Sequence, residues 1–132
     1  MPKDFSSNAP IYVQIMNEVK LKIVSGGWEP GQRLQSVREL AVEFSVNPNT
    51  MQRALSELER DGLLYTERTA GRYVSQDKTK ISKARDEMAE EYTDSYYNSM
   101  IRLGYGKEDI VGIVSGKSGI KRRKENEQVN RD

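Results

Sequence analysis

From Ile11 to Ser25 the apolar positions Tyr12, Ile15, Met16, Val19 and Ile23 recur every three or four residues, the spacing of one helical face. Gly26 and Gly27 close that helix, Pro30-Gly31 marks a turn, and Gln32-Arg33-Leu34 reads as a brief strand. A second, short helix follows. Ser36 caps it, Glu39 stands three residues on at the capping-box spacing, and Val37, Leu40, Ala41 and Phe44 form its buried stripe. The stretch Ser45 to Pro48 interrupts the pattern; Asn47 suits the cap and Pro48 the first turn of a third helix that runs to about Asp61.

Beyond Gly62 the period changes. Leu63 to Glu67 and Arg72 to Ser75 read as two strands joined by Arg68, Thr69, Ala70 and Gly71, with Gly71 free to adopt an unusual backbone angle. Helix, short strand, helix, tight turn, helix and hairpin in this order predict a winged helix-turn-helix. The chain is thus expected to be mainly α with one small β-hairpin.

From Thr79 a helical period resumes: Ile81, Ala84, Met88, Tyr92, Tyr96, Met100 and Leu103 form one stripe of a long helix that Gly104 ends. A shorter helix, about Lys107 to Val114, carries Ile110, Val111, Ile113 and Val114. A lone amphipathic helix must bury its apolar face, so the expected use of this segment is dimerisation, with Ile81, Met88, Tyr92, Tyr96, Met100 and Leu103 at the interface. Tyr92, Tyr96 and Tyr97 also have the character of pocket-lining residues, which leaves a small-molecule effector open, although no other feature of the sequence supports one. The expected organisation is an arm over residues 1–9, the winged unit over 10–76, the two-helix segment over 77–116 and a flexible charged tail over 117–132.

Composition narrows the chemistry. Cysteine and histidine are both absent, which removes disulfides, thiolate and imidazole metal sites, cysteine nucleophiles and the usual imidazole base. Adjacent carboxylates such as Glu90 and Glu91, or Glu108 and Asp109, point about 100° apart on a helix and read as surface charge, so no enzyme, metal or cofactor is expected. No apolar run approaches membrane-spanning length and the first ten residues have no signal-like apolar core, so a cytoplasmic protein without membrane contact is expected. The net charge of +1 is divided evenly about Gln76, with nine basic and nine acidic residues before it. Bulk charge therefore argues for no nucleic acid, and any contact with DNA depends on where a few arginines sit.

The third helix supplies such a place. With Met51, Leu55 and Leu58 facing inward, Asn49, Arg53 and Ser56 fall on the opposite side and Gln52 at its edge. Asn and Gln pair with adenine, Arg pairs with guanine, and Thr50 offers a hydroxyl to phosphate or a methyl to thymine. Asn47 lies beside the helix N-terminus, whose free N–H groups suit a phosphate. Arg38 on the second helix, with Arg68 and Arg72 on the hairpin, adds charge around it. Each residue taken singly also fits a plainly solvated surface; the order and spacing of the elements carry the reading. The basic run Lys121-Arg122-Arg123-Lys124 reads first as a solvated end, and second as a nonspecific phosphate contact.

The segment Leu34-Gln35-Ser36-Val37-Arg38-Glu39-Leu40-Ala41, followed by Val46-Asn47-Pro48-Asn49-Thr50, Ala54-Leu55-Ser56-Glu57-Leu58, Asp61-Gly62-Leu63-Leu64 and Gly71-Arg72-Tyr73-Val74, resembles the GntR family of bacterial transcription regulators. The resemblance covers about half of the chain. It implies a homodimer on an operator of two-fold pseudo-symmetry, with each recognition helix in a major groove and each wing tip at a minor groove. It further implies contacts from Ser36 and Arg38 in the Ser-x-Arg-Glu-Leu-Ala stretch, from Asn49, Thr50 and Gln52 at the start of the recognition helix, and from Arg68 and Thr69 at the wing tip. The sequence departs from many members at Pro48, where an arginine is common, and at Thr69, where a glycine is common. The Asn-Pro-Asn-Thr wording and the two short helices after the wing resemble the YtrA subfamily, whose members often lie beside transporter genes. The expected function is transcription control, as a repressor, by sequence-specific DNA binding. A winged-helix protein-interaction module without operator specificity is the alternative, favoured by the near-neutral charge.

Overall fold

A computed structural model of the chain describes residues 8–116; the rest of the expected arm, the charged tail and its basic run at 121–124 lie outside the described residues. Three helices and a hairpin come first: α1 (Ile11–Val24), α2 (Val37–Phe44), α3 (Pro48–Arg60), β1 (Leu64–Glu67) and β2 (Gly71–Val74). A 25-residue helix, α4 (Lys78–Arg102), follows, and residues 107–116 form α5. The described residues up to Glu87 form one compact unit and those from Met88 a second.

In the first unit α3 packs on α1, α2 and β1. Its core draws Ile15, Val19 and Ile23 from α1, Leu40 and Phe44 from α2, and Met51, Ala54, Leu55 and Leu58 from α3, all at most 1% exposed. Burying a side chain of this size removes enough apolar surface to stabilise the fold by roughly 1.5–3 kcal/mol. The expected inner stripe of α3 is thus the observed one, and those of α1 and α2 are buried except for Tyr12, Met16 and Val37, which are half-buried. Gln14, which breaks the apolar pattern of α1, is also buried, and its Nε2 donates to the Ala9 carbonyl at 2.8 Å.

The caps of α2 and α3 form as their residues predict. Ser36 Oγ accepts from the Glu39 N–H at 3.1 Å, while Glu39 Oε1 accepts from the Ser36 N–H at 3.0 Å, so two otherwise unpaired donors are satisfied reciprocally. Asn47 Oδ1 accepts from the Asn49 N–H at 2.7 Å, with Pro48 in the first turn of α3. Between the two helices Ser45 adopts the left-handed conformation, φ 58° and ψ 46°. The paired bonds Ser45 N–H to Val42 O and Val46 N–H to Ala41 O then close α2 and turn the chain sharply into α3.

The hairpin pairs Leu64 with Val74, Tyr65 with Tyr73, Thr66 with Arg72 and Glu67 with Gly71, leaving Arg68, Thr69 and Ala70 at the tip. The Tyr65 and Tyr73 rings stack at 5.5 Å between centroids, a cross-strand contact that pins the register. Gly71 begins β2 at φ 112°, an angle that side-chain-bearing residues rarely adopt. The brief strand expected at Gln32 to Leu34 reduces to a single bridge, Arg33 opposite Tyr73. Leu34 N–H still donates to the Arg72 carbonyl and Val74 N–H to the Gln32 carbonyl, both at 2.8 Å, so this segment covers the outer edge of β2.

Helix α4 begins within the first unit. Arg85 Nε donates to the Val24 carbonyl at 2.9 Å, tying α4 to the end of α1, and Ile81 and Ala84 are buried at 4% and 9% exposure. In the second unit Met88 and Ile110 are buried, whereas Tyr92, Tyr96, Ile101, Leu103, Val111 and Val114 are exposed. Asp109 Oδ2 accepts from the Gly106 N–H at 3.0 Å at the start of α5.

Candidate nucleic-acid interface

The amphipathic pattern of α3 turns four polar side chains outward. Asn49, Gln52, Arg53 and Ser56 are exposed, opposite the buried Met51, Ala54, Leu55 and Leu58, and Thr50 is half-buried at the N-terminal end. Gln52 Nε2 donates to Ser56 Oγ at 3.0 Å, one turn along the helix, which holds the amide against that face. The Arg53 guanidinium lies over the Tyr12 ring of α1, its Cζ 3.8 Å from the ring centroid.

Around this face the expected residues separate into free and engaged groups. Arg38, Arg68 and Thr69 are exposed, the first in the opening turn of α2 and the other two at the hairpin tip. Ser36 and Asn47 are exposed as well, but their side-chain oxygens already accept from backbone N–H groups as caps; the Ser36 hydroxyl proton and the Asn47 amide protons remain as donors. Arg72 is engaged within the chain. Its side chain is 18% exposed and its Nε donates to Glu59 Oε1 at 3.1 Å, while Thr66 Oγ1 donates to the same oxygen at 2.8 Å. The period of β2 directs Arg72 toward the last turn of α3, so its charge is balanced by a carboxylate rather than offered to solvent.

Arg33, read in the sequence as part of a brief strand, was not among the candidate contacts. It is exposed on the segment that covers β2, and its guanidinium lies over Gly71, where an added Cβ would stand 3.2 Å from Nε. Only the fold brings it beside the hairpin. With Leu34, Ser36, Val37, Thr66 and Arg72 it lines a groove of about 620 Å³ between the start of α2 and the hairpin.

The stripe expected to join two copies is divided. Ile81 and Met88 are covered within the chain, at 4% and 6% exposure, and so have little surface to give a partner; Met100 is half-buried. Tyr92, Tyr96 and Leu103 remain open at 57%, 39% and 72%. No helix of the described residues is long and apolar enough to cross a membrane.

Comparison with known proteins places this geometry. The model of the family described as bacterial regulatory proteins, gntR family, matches residues 11–74. The uncharacterized HTH-type transcriptional regulator YhcF of Bacillus subtilis (strain 168) is 35% identical over 84% of this chain and 92% of its own length. The HTH-type transcriptional repressor YtrA of the same organism is 38% identical over 71% of this chain and 77% of its own. Among solved structures, a GntR family transcriptional regulator from Listeria monocytogenes superposes with a TM-score of 0.77 at 40% identity, covering 85% of this chain and 98% of that one. The AraR DNA-binding domain in complex with operator ORE1 superposes with a TM-score of 0.50 at 30% identity, covering 56% of this chain and 90% of that one. The helix-turn-helix and its wing are therefore those of a DNA-binding transcription regulator, and the chain belongs to the GntR family, with YtrA among its relatives.

Proposed function

We propose that this protein is a cytoplasmic repressor that binds a pseudo-palindromic operator as a homodimer, with α3 of each copy in a major groove and each wing tip at the neighbouring minor groove. The observation that carries the reading is the α3 face itself. Asn49, Gln52, Arg53 and Ser56 are exposed on a helix whose opposite stripe of Met51, Ala54, Leu55 and Leu58 is buried, so the helix can enter a groove without disturbing the core. Asn49 and Gln52 have the donor and acceptor pairs that match adenine, and Arg53 the fork that matches guanine. Thr50, Asn47, Ser36 and Arg38 suit phosphates at the opening turns of α3 and α2, and Arg68 and Thr69 suit the minor groove. Arg33 joins them at the base of the wing. Arg72, paired with Glu59, braces the wing instead.

Repression is supported by the relative YtrA, a transcriptional repressor, and operator binding by the AraR domain, whose structure was solved on an operator. Pairing of two copies is supported by Tyr92 and Tyr96, exposed on one stripe of α4, and by the exposed Leu103 just past its end. A target among nearby transporter genes rests on the subfamily resemblance.

Selection from a random duplex library at near-physiological salt tests the reading. The expected result is one enriched consensus with two-fold symmetry, bound far more tightly than random duplex. Arg38→Gln and Arg68→Gln are each expected to lower the slope of log affinity against log salt by about one. A protein-interaction module would enrich no sequence, and that outcome would sink the operator reading.

A further inference from the structure

Tyr12 stands in the first turn of α1 and Arg53 on the open face of α3, and the guanidinium carbon lies over the Tyr12 ring, 3.8 Å from its centroid, close enough for the flat face of the guanidinium to rest on the ring. With Ile11, Asn49 and Thr50 they line a shallow pocket of about 350 Å³ at this end of the two packed helices. All five N–H donors of a guanidinium lie in its plane, so a contact made through the flat face occupies none of them. Among the described residues no carboxylate or hydrogen-bond acceptor engages Arg53, in contrast to Arg72, whose Nε is held by Glu59. The Tyr12 ring is half-buried, and its hydroxyl bonds to no described residue. What the ring offers Arg53 is therefore its π-face.

We propose that Tyr12 is a positioning residue for DNA readout: its ring holds the Arg53 guanidinium on the groove side of α3 with every donor free. The base discrimination exerted by Arg53 then depends on a residue of α1 that itself reads no base. An unsupported arginine at an exposed helical site samples many rotamers, and holding it in one before binding improves both affinity and discrimination. This inference rests on the operator reading above.

A double-mutant cycle tests it, on the selected duplex and on a panel with each base pair changed in turn. The proteins are the wild type, Tyr12→Phe, Tyr12→Leu, Arg53→Ala and the double variant Tyr12→Leu/Arg53→Ala. Leucine keeps an apolar side chain against α3 without a π-face, and each unfolding transition is measured to separate loss of fold from loss of positioning. Tyr12→Leu is expected to weaken binding roughly three- to thirty-fold, the range equivalent to a cation–π contact, and to flatten discrimination at the same base pairs as Arg53→Ala. Tyr12→Phe should bind within about two-fold of the wild type, because the ring remains. Adding Tyr12→Leu to Arg53→Ala should change little further.

Fully additive losses would overturn the proposal. So would a Tyr12→Phe variant as weak as Tyr12→Leu, which would assign the hydroxyl a contact of its own. A wild-type protein that enriches no sequence removes the operator reading and this inference together, and that failure is seen before any variant is compared.

Discussion

Glu59 Oε1 accepts a hydrogen bond from Arg72 Nε at 3.1 Å, joining the last turn of the recognition helix to the second strand of the wing. The same oxygen takes the Thr66 hydroxyl at 2.8 Å, so one carboxylate ties both strands to α3. Glu59→Ala leaves the partly buried guanidinium unpaired and is expected to cost about 1–3 kcal/mol of stability, read from chemical denaturation. Arg72→Ala should cost a similar amount, and the double variant clearly less than their sum. Because the charge of Arg72 is paired to Glu59 in this way, Arg72→Gln is expected to leave the salt slope of DNA binding unchanged; a slope lowered by about one would return Arg72 to the phosphate contacts.

The capping box at the start of α2 holds the helix whose first turn carries Arg38. Ser36→Ala removes the acceptor for the Glu39 N–H and is expected to destabilise the fold by about 1 kcal/mol. Ser36→Asp retains an acceptor at the cap and should recover most of that loss. Equal stability of the alanine and aspartate variants would show that the cap contributes nothing.

Ser45 occupies a left-handed backbone conformation that glycine adopts without a steric penalty. Ser45→Gly is expected to stabilise the protein by up to about 1 kcal/mol, and Ser45→Val to destabilise it by more than that, since a β-branched residue fits this region poorly. The midpoint of thermal unfolding reports both. A lower midpoint for Ser45→Gly would mean that the serine is held there by something other than the turn.

Tyr96 lies on the part of the α4 stripe that remains 39% exposed. Tyr96→Glu places a charge on that stripe and should weaken self-association at least ten-fold in sedimentation equilibrium, since an unpaired charge loses its hydration when a partner covers it. Ile81→Glu should instead destabilise the single chain, because Ile81 is buried within it. An undiminished dimer of the Tyr96 variant would take this stripe out of the interface.

The chain's periodicity by itself determined the helices, the hairpin, their order and the inward side of each helix. Those features follow from spacing: apolar residues every three or four positions make one helical face, and Ser36, Asn47 and Pro48 are chemically suited to helix starts. The outward face of α3 followed from the same period, and so Asn49, Gln52, Arg53 and Ser56 were legible as candidates. Partners distant along the chain were not. Whether an arginine stays free or is matched depends on which carboxylate or ring the fold brings to it, and only the packing of the wing on α3 gives Arg72 to Glu59 and only the packing of α1 on α3 gives Arg53 to Tyr12. The same holds for α4: one unbroken stripe reads as one interface, yet the tertiary structure buries Ile81 and leaves Tyr92 and Tyr96 exposed. Local spacing decides which side of a helix is apolar; what covers that side is decided by chain segments that only folding brings near.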